Sequence, residues 1–76
     1  MPARLPAPAL VKRVSRNLKR LRDETGLTQE ELAERAGVSP RYIQFLEAGK
    51  QLPSLTVADA LVSALGTTWD KLLSRS

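Results

Sequence analysis

The chain contains no cysteine and no histidine, which excludes disulfide staples, thiol nucleophiles, zinc fingers and every catalytic triad built on imidazole. Aromatic residues are scarce, with one Phe, one Tyr and one Trp among 76 residues. No long apolar run exists and the first ten residues lack the apolar core of a secretory signal, so export and membrane insertion are not expected and a cytoplasmic location is. What remains is ordinary for a folded domain: 42% hydrophobic and 26% charged residues, in a length that holds a single domain.

Acids are missing from the first 22 residues, which carry seven bases: Arg4, Lys12, Arg13, Arg16, Lys19, Arg20 and Arg22. The rest of the chain holds five bases and eight acids, a net of −3 against +4 for the whole. Such asymmetry draws a polyanion to one part of the molecule, as in a nucleic-acid binder. A solvated helix face with a basic bias reads the same way. An anionic membrane surface is a weaker third option, because Val11, Val14, Leu18 and Leu21 form a stripe that a core requires.

Prolines at 2, 6 and 8 oppose regular structure, so residues 1–8 are expected to be a flexible arm and 9–76 the domain. The 3,4,3 spacing of Val11, Val14, Leu18 and Leu21 predicts an amphipathic first helix over 9–25, stopped by Gly26. Thr28 and Glu31 have the spacing of a capping box and open a second helix over 29–36, ended by Gly37. Ser39 caps a third over 40–48, with Pro40 in its first position and Gly49 after it. Ser54 caps a fourth over 55–65, closed by Gly66, and Thr67 or Thr68 a last short one through Trp69 and Leu73. No segment alternates as a strand would, so the fold class is all-α, a compact five-helix bundle.

Only Gly37, Val38 and Ser39 separate the second and third helices, a link that sets them at a steep angle as a helix-turn-helix. At about 100° per residue, Ile43 and Leu46 mark the buried side of the third helix, with Val38 plugging the turn. The opposite side presents Pro40, Arg41, Gln44 and Phe45. Arginine and glutamine carry the paired donors and acceptors that match guanine and adenine edges in the major groove, and a phenylalanine can meet a thymine methyl. Phe45 packed against the core or a partner chain, and Arg41 as a plain exposed cation, are the competing readings. Glu30, Glu31 and Glu34 form a carboxylate cluster, but with no histidine or cysteine nearby their role is to complement the helix dipole, and no metal, cofactor or catalytic residue is expected. Trp69 is read as core packing under the last helix.

Residues 18–73, LKRLRDETGLTQEELAERAGVSPRYIQFLEAGKQLPSLTVADALVSALGTTWDKLL, closely resemble the lambda-repressor-like (Cro and XRE type) helix-turn-helix domains of bacterial and phage regulators. The resemblance spans about three quarters of the chain. It rests on an arginine four before Gly26, then LTQEELA, the Gly37-Val38-Ser39 turn, the YIxxLExGK pattern, PSL and ALG. It implies that the third helix enters the major groove, commonly as a two-fold dimer on a palindromic site. It implies a base-reading role for Pro40, Arg41, Gln44 and Phe45, and backbone contacts by Thr28, Gln29, Ser39, Tyr42 and Lys50. It also implies a structural ion pair of Arg22 with Glu47. Pro40 departs from the pattern, standing where relatives often carry a polar base-contacting residue, which shifts the reading onto Arg41 and Gln44.

The fourth helix carries Leu55, Ala58, Leu61, Val62 and Leu65 on one side and Val57, Ala60 and Ala64 about 120° away. A helix so apolar in so small a domain is expected to bury its second stripe against another copy of the chain, giving a homodimer through Val57, Ala60, Ala64 and Leu73. A monomer with small alanines exposed is the simpler alternative. The functional expectation is a regulator that binds double-stranded DNA by sequence. The alternative from another class is an interaction module of the same fold, such as an antitoxin binding a cognate toxin, with Phe45 and the apolar fourth helix as its contact surface.

Overall fold

A computed structural model describes residues 7–75, with five helices in chain order: α1 (Ala7–Thr25), α2 (Gln29–Ala36), α3 (Pro40–Glu47), α4 (Leu55–Leu65) and α5 (Trp69–Leu73). No strand occurs among the described residues, so the chain is all-α as its periodicity requires. Four helices start at a hydroxyl that accepts a backbone N–H three residues on. Thr28 accepts from Glu31 at 3.0 Å, Ser39 from Tyr42 at 3.1 Å, Ser54 from Val57 at 3.1 Å and Thr68 from Lys71 at 3.2 Å. Each satisfies an amide that has no partner inside its helix, an effect worth about 1 kcal/mol per cap. At α5 the cap is therefore Thr68. Thr67, the other candidate, is half-buried and its hydroxyl oxygen has no partner.

The helix ends are equally local in origin. Gly37 follows α2 at φ +75°, where its N–H reaches the carbonyls of Ala33 and Glu34. That left-handed conformation is costly for a residue with a side chain, so the chain can turn sharply into Val38 and Ser39 only through glycine. Two boundaries depart from expectation: α3 ends at Glu47, with Ala48 as its cap, and α1 starts at Ala7 instead of residue 9. Pro8 falls in the first turn, where the N–H it lacks would have had no helical acceptor and its fixed φ suits the helix. Residues 1–6 of the expected arm lie outside the described residues.

All five helices contribute to one core: Val14, Leu18 and Leu21 of α1, Leu32 and Ala33 of α2, Ile43 and Leu46 of α3, Ala58, Leu61, Val62 and Leu65 of α4, and Leu72 of α5. Each leucine sealed there contributes about 1.5–3 kcal/mol. Val38 plugs the turn and Trp69 packs on the edge, its Nε1 donating to Asp59 at 3.3 Å. Two polar residues of α1, Ser15 and Asn17, are buried beside it. Asn17, 1% exposed, donates through Nδ2 to the carbonyls of Leu72 at 2.8 Å and Ser74 at 2.7 Å, tying α1 to the end of α5.

One expectation about α4 is corrected. Leu55 belongs to the outside, at 80% exposure, because it is the first residue of the helix and overhangs the core that begins one turn later at Ala58. Conversely, Val57, Ala60 and Ala64 are half-buried by the chain itself, and Val57 and Ala64 pack directly on the core.

Candidate nucleic-acid interface

The helix-turn-helix is assembled by α2 and α3, with Ile43 and Leu46 fixing the inner side of α3 in the core. Opposite them, Pro40, Arg41, Gln44 and Phe45 all stand exposed. Phe45 keeps 45% of its surface open, so it is not tucked into the core. With Ser39, Arg41 and Tyr42 it borders a shallow notch on the outside of the helix. The side chains of Arg41 and Gln44 form no hydrogen bond or ion pair with the described residues, which leaves their donors and the glutamine oxygen free for an external partner. This brings the sequence-derived reading residues together on one continuous surface.

The residues expected to contact a nucleic-acid backbone surround it in different states. Thr28 is exposed at the start of α2 and completes a capping box: its hydroxyl accepts from Glu31 N while its own N–H donates to Glu31 Oε1 at 2.9 Å. The Thr28 N–H bond to the carboxylate, with a second contribution from the Thr28 side chain, holds the Glu31 carboxyl below its ordinary value of 4.5. Ser39 is spent as the α3 cap, Lys50 is exposed, and Tyr42 is half-buried with its ring against the core. Gln29 is half-buried, and its Nε2 donates to Glu47 Oε1 at 2.9 Å. An amide expected to face outward is thus directed partly inward.

That bond joins Gln29 to the Arg22–Glu47 pair. Arg22 donates through Nε to Glu47 Oε2 at 2.6 Å and through a terminal nitrogen to Oε1 at 3.0 Å, a two-pronged arrangement that adds geometric specificity to charge. Its other terminal nitrogen reaches the carbonyl of Leu27 at 2.9 Å. The Glu47 side chain is 5% exposed and that of Arg22 12%. Hydrogen bonding to Glu47 raises the Arg22 pKa further, against the opposing effect of burial. The network locks α1, the start of α2 and the end of α3 in fixed relation, and so sets the angle at which the outer side of α3 is presented.

Two functional features escaped the reading of the sequence. Asn17 sits at a core-facing position of the α1 stripe, three residues after Val14, and that placement was the available signal for a buried polar tether. The Gln29–Glu47 bond had none, because the two residues are 18 positions apart and meet only in the folded chain.

Among the described residues no group of acids could hold a metal ion, and no helix is long and apolar enough to cross a membrane. Residues 18–72 match the helix-turn-helix family model. The chain is 41% identical over 63 residues to an uncharacterized HTH-type transcriptional regulator, y4dJ, of Sinorhizobium fredii, covering 83% of this chain and 82% of that one. It is 40% identical over 53 residues to the immunity repressor protein of Bacillus phage phi105, which is 70% of this chain and 37% of the repressor. Among solved structures it is similar to the clp gene regulator ClgR from C. glutamicum, with TM-score 0.82 and 33% identity over 92% of this chain and 90% of ClgR. It is also similar to the restriction-modification controller protein C.AhdI from Aeromonas hydrophila, with TM-score 0.78 and 31% identity over 82% and 94%. A helix-turn-helix anchored by Arg22 and Glu47, in a chain with these relatives, places it in the lambda-repressor-like (Cro and XRE type) family of DNA-binding transcriptional regulators, a non-enzymatic class.

Proposed function

We propose that this regulator recognises its DNA by sequence, with α3 lying in the major groove and Arg41 and Gln44 contacting base edges. The observation that carries this reading is the outer side of α3, where two side chains with forked or paired hydrogen-bonding groups stand free beside an exposed phenylalanine. Phe45 meets a thymine methyl and Pro40, which has no hydrogen to donate, supplies shape. Thr28, Ser39, Tyr42 and Lys50 hold the sugar-phosphate backbone. Gln29 adds its backbone N–H at the start of α2, where helix amides favour an anion. Glu30 and Glu31 share that turn and offset part of the attraction, so the contact positions the protein more than it adds affinity. The protein acts in the cytoplasm, where its DNA is.

The same reading includes a homodimer on a palindromic site, with the two reading helices about 34 Å apart, one turn of duplex. Its interface is assigned to α4 and α5, through Val57, Ala60, Ala64 and Leu73. Leu73, at 43% exposure, supports this most strongly, and Leu55 and Leu52 extend the apolar surface beside it. Together with Leu10, Pro53 and Trp69 they border a groove with a predominantly apolar lining. A second copy covering it adds stability that a core this small cannot supply alone.

Selection of bound duplexes from a random pool tests the whole. The expected result is an enriched motif with two-fold symmetry and steeply salt-dependent binding. An unenriched pool, with the chain instead captured by a protein partner through salt-insensitive contacts, would favour the interaction-module reading.

A further inference from the structure

Away from the reading helix, the strongest charge lies on α1. Lys12, Arg16 and Lys19 recur at i, i+4 and i+7, which places them along one side of the helix, and all three are exposed. None of them forms an ion pair among the described residues. The acids of α1, Asp23 and Glu24, sit near its end and lie against Arg22 and Arg20. Three like charges thus share one side of the helix, and the nearest acids, Asp23 and Glu24, border only the Arg16 and Lys19 end of it.

One close approach fixes where this side points. Ser15 is buried, and a Cβ placed on Gly49 would stand 3.5 Å from its hydroxyl oxygen, so the middle of α1 abuts the turn that carries Lys50. Lys12 and Lys19 lie about 60° and 40° from Ser15 around the helix, both turned the same way toward solvent, and Arg16 continues that rotation. The turn itself follows directly from the reading helix, because Lys50 N–H donates to the carbonyl of Phe45 at 3.1 Å. The turn that carries Lys50 therefore joins the end of α3 to the middle of α1.

We propose that Lys12, Arg16 and Lys19 form a second phosphate-binding track, which holds the DNA backbone flanking the bases that α3 reads. The inference rests on α3 being the base-reading helix. Seven residues of helix span about 10.5 Å, and one DNA strand rises about 3.4 Å along the duplex axis per phosphate, so the three charges cover a length of duplex that holds about three phosphates of one strand. Long flexible stems ending in cations suit backbone contact, which adds affinity and register without reading sequence.

The test is titration of the full chain and of its K12Q/R16Q/K19Q variant against a duplex selected from the random pool. The duplex is used in two lengths, one ending at the recognised bases and one extended by about half a helical turn on each side. Extension is expected to tighten binding by the unmodified chain and not by the variant. On the extended duplex, the variant's plot of log affinity against log salt should be shallower by roughly 2–3 per protomer. Its preference for the selected over a scrambled duplex should stay unchanged. A K71Q/R75Q variant, which removes two exposed charges at and beyond α5, should keep the full slope. Equal affinity and slope for the triple variant and the unmodified chain on the extended duplex, with sequence preference intact in both, would overturn the track and leave the reading helix standing. Loss of sequence preference in the unmodified chain would instead bring down the reading helix and the track with it.

Discussion

On the inner side of α3, Ile43 and Leu46 are sealed in the core and Glu47 is gripped by two nitrogens of Arg22 and by Gln29. On the outer side of the same eight-residue helix, Arg41, Gln44 and Phe45 face water, and the side chains of Arg41 and Gln44 have no partner among the described residues. The contrast is informative because one side prepares the other. Side chains proposed to meet base edges gain specificity only if the helix beneath them cannot rock, and the ion-pair network supplies that rigidity from the opposite side.

The largest effect should follow from breaking the inner side. Glu47→Ala removes the acceptor of both Arg22 bonds and the Gln29 bond, leaving a mostly covered guanidinium uncompensated, and should cost about 3 kcal/mol or more of folding stability. Urea unfolding would show it as a lower midpoint at unchanged slope. If stability held and only DNA binding fell, the pair would belong to the interface and the division between the two sides would be wrong.

The outer side should behave in the opposite way. Arg41→Ala should leave the unfolding midpoint in place and weaken binding to the selected duplex by roughly 1–3 kcal/mol, relaxing preference at one base pair. Lys50→Ala should weaken selected and scrambled duplexes about equally. Titrations on both duplexes decide it, and uniform loss in both variants would remove Arg41 from base reading.

A smaller contrast separates the α4–α5 surface from α3, since both expose apolar groups but only α3 surrounds them with hydrogen-bonding groups. Leu55→Ser together with Leu73→Ser should shift the chain from dimer to monomer in sedimentation at unchanged helicity. Because both leucines are exposed, little folding stability is lost. A dimer that survives the double change would take the exposed leucines out of the proposed interface and leave it to Val57, Ala60 and Ala64 alone.

Most of the architecture could be read directly from residue order, and the reason is that its determinants are local. Thr28, Ser39, Ser54 and Thr68 act within three residues of themselves, and each of the four glycines adopts positive φ just beyond a helix. The exposed side of α3 was legible for the same reason, since the periodicity of α3 alone separates Ile43 and Leu46 from Arg41 and Gln44. What could not be read depended on distant parts of the chain. Leu55 has the right phase for the core, yet lies beyond its edge, and phase carries no information on where neighbouring helices stop. Gln29 has the composition of an anion contact, but its partner Glu47 arrives from another helix.

The finest test concerns Glu31, whose carboxylate accepts the Thr28 N–H in the capping box. The backbone bond first, and the Thr28 side-chain bond second, depress its pKa below 4.5, with Arg35 adding a smaller attraction and burial opposing. A carboxyl whose folded pKa lies below its unfolded one stabilises the fold at every pH above the unfolded value, and that contribution disappears as pH falls through the folded value. Glu31→Gln keeps an oxygen that can accept from Thr28 but does not titrate. The unmodified chain should therefore be the more stable of the two at neutral pH, by a margin that narrows as pH drops below 4.5. Thermal unfolding of both chains across that range is the measurement. A margin that stayed constant with pH would mean that shape alone, and not the charge held at the start of α2, sets how firmly this helix begins.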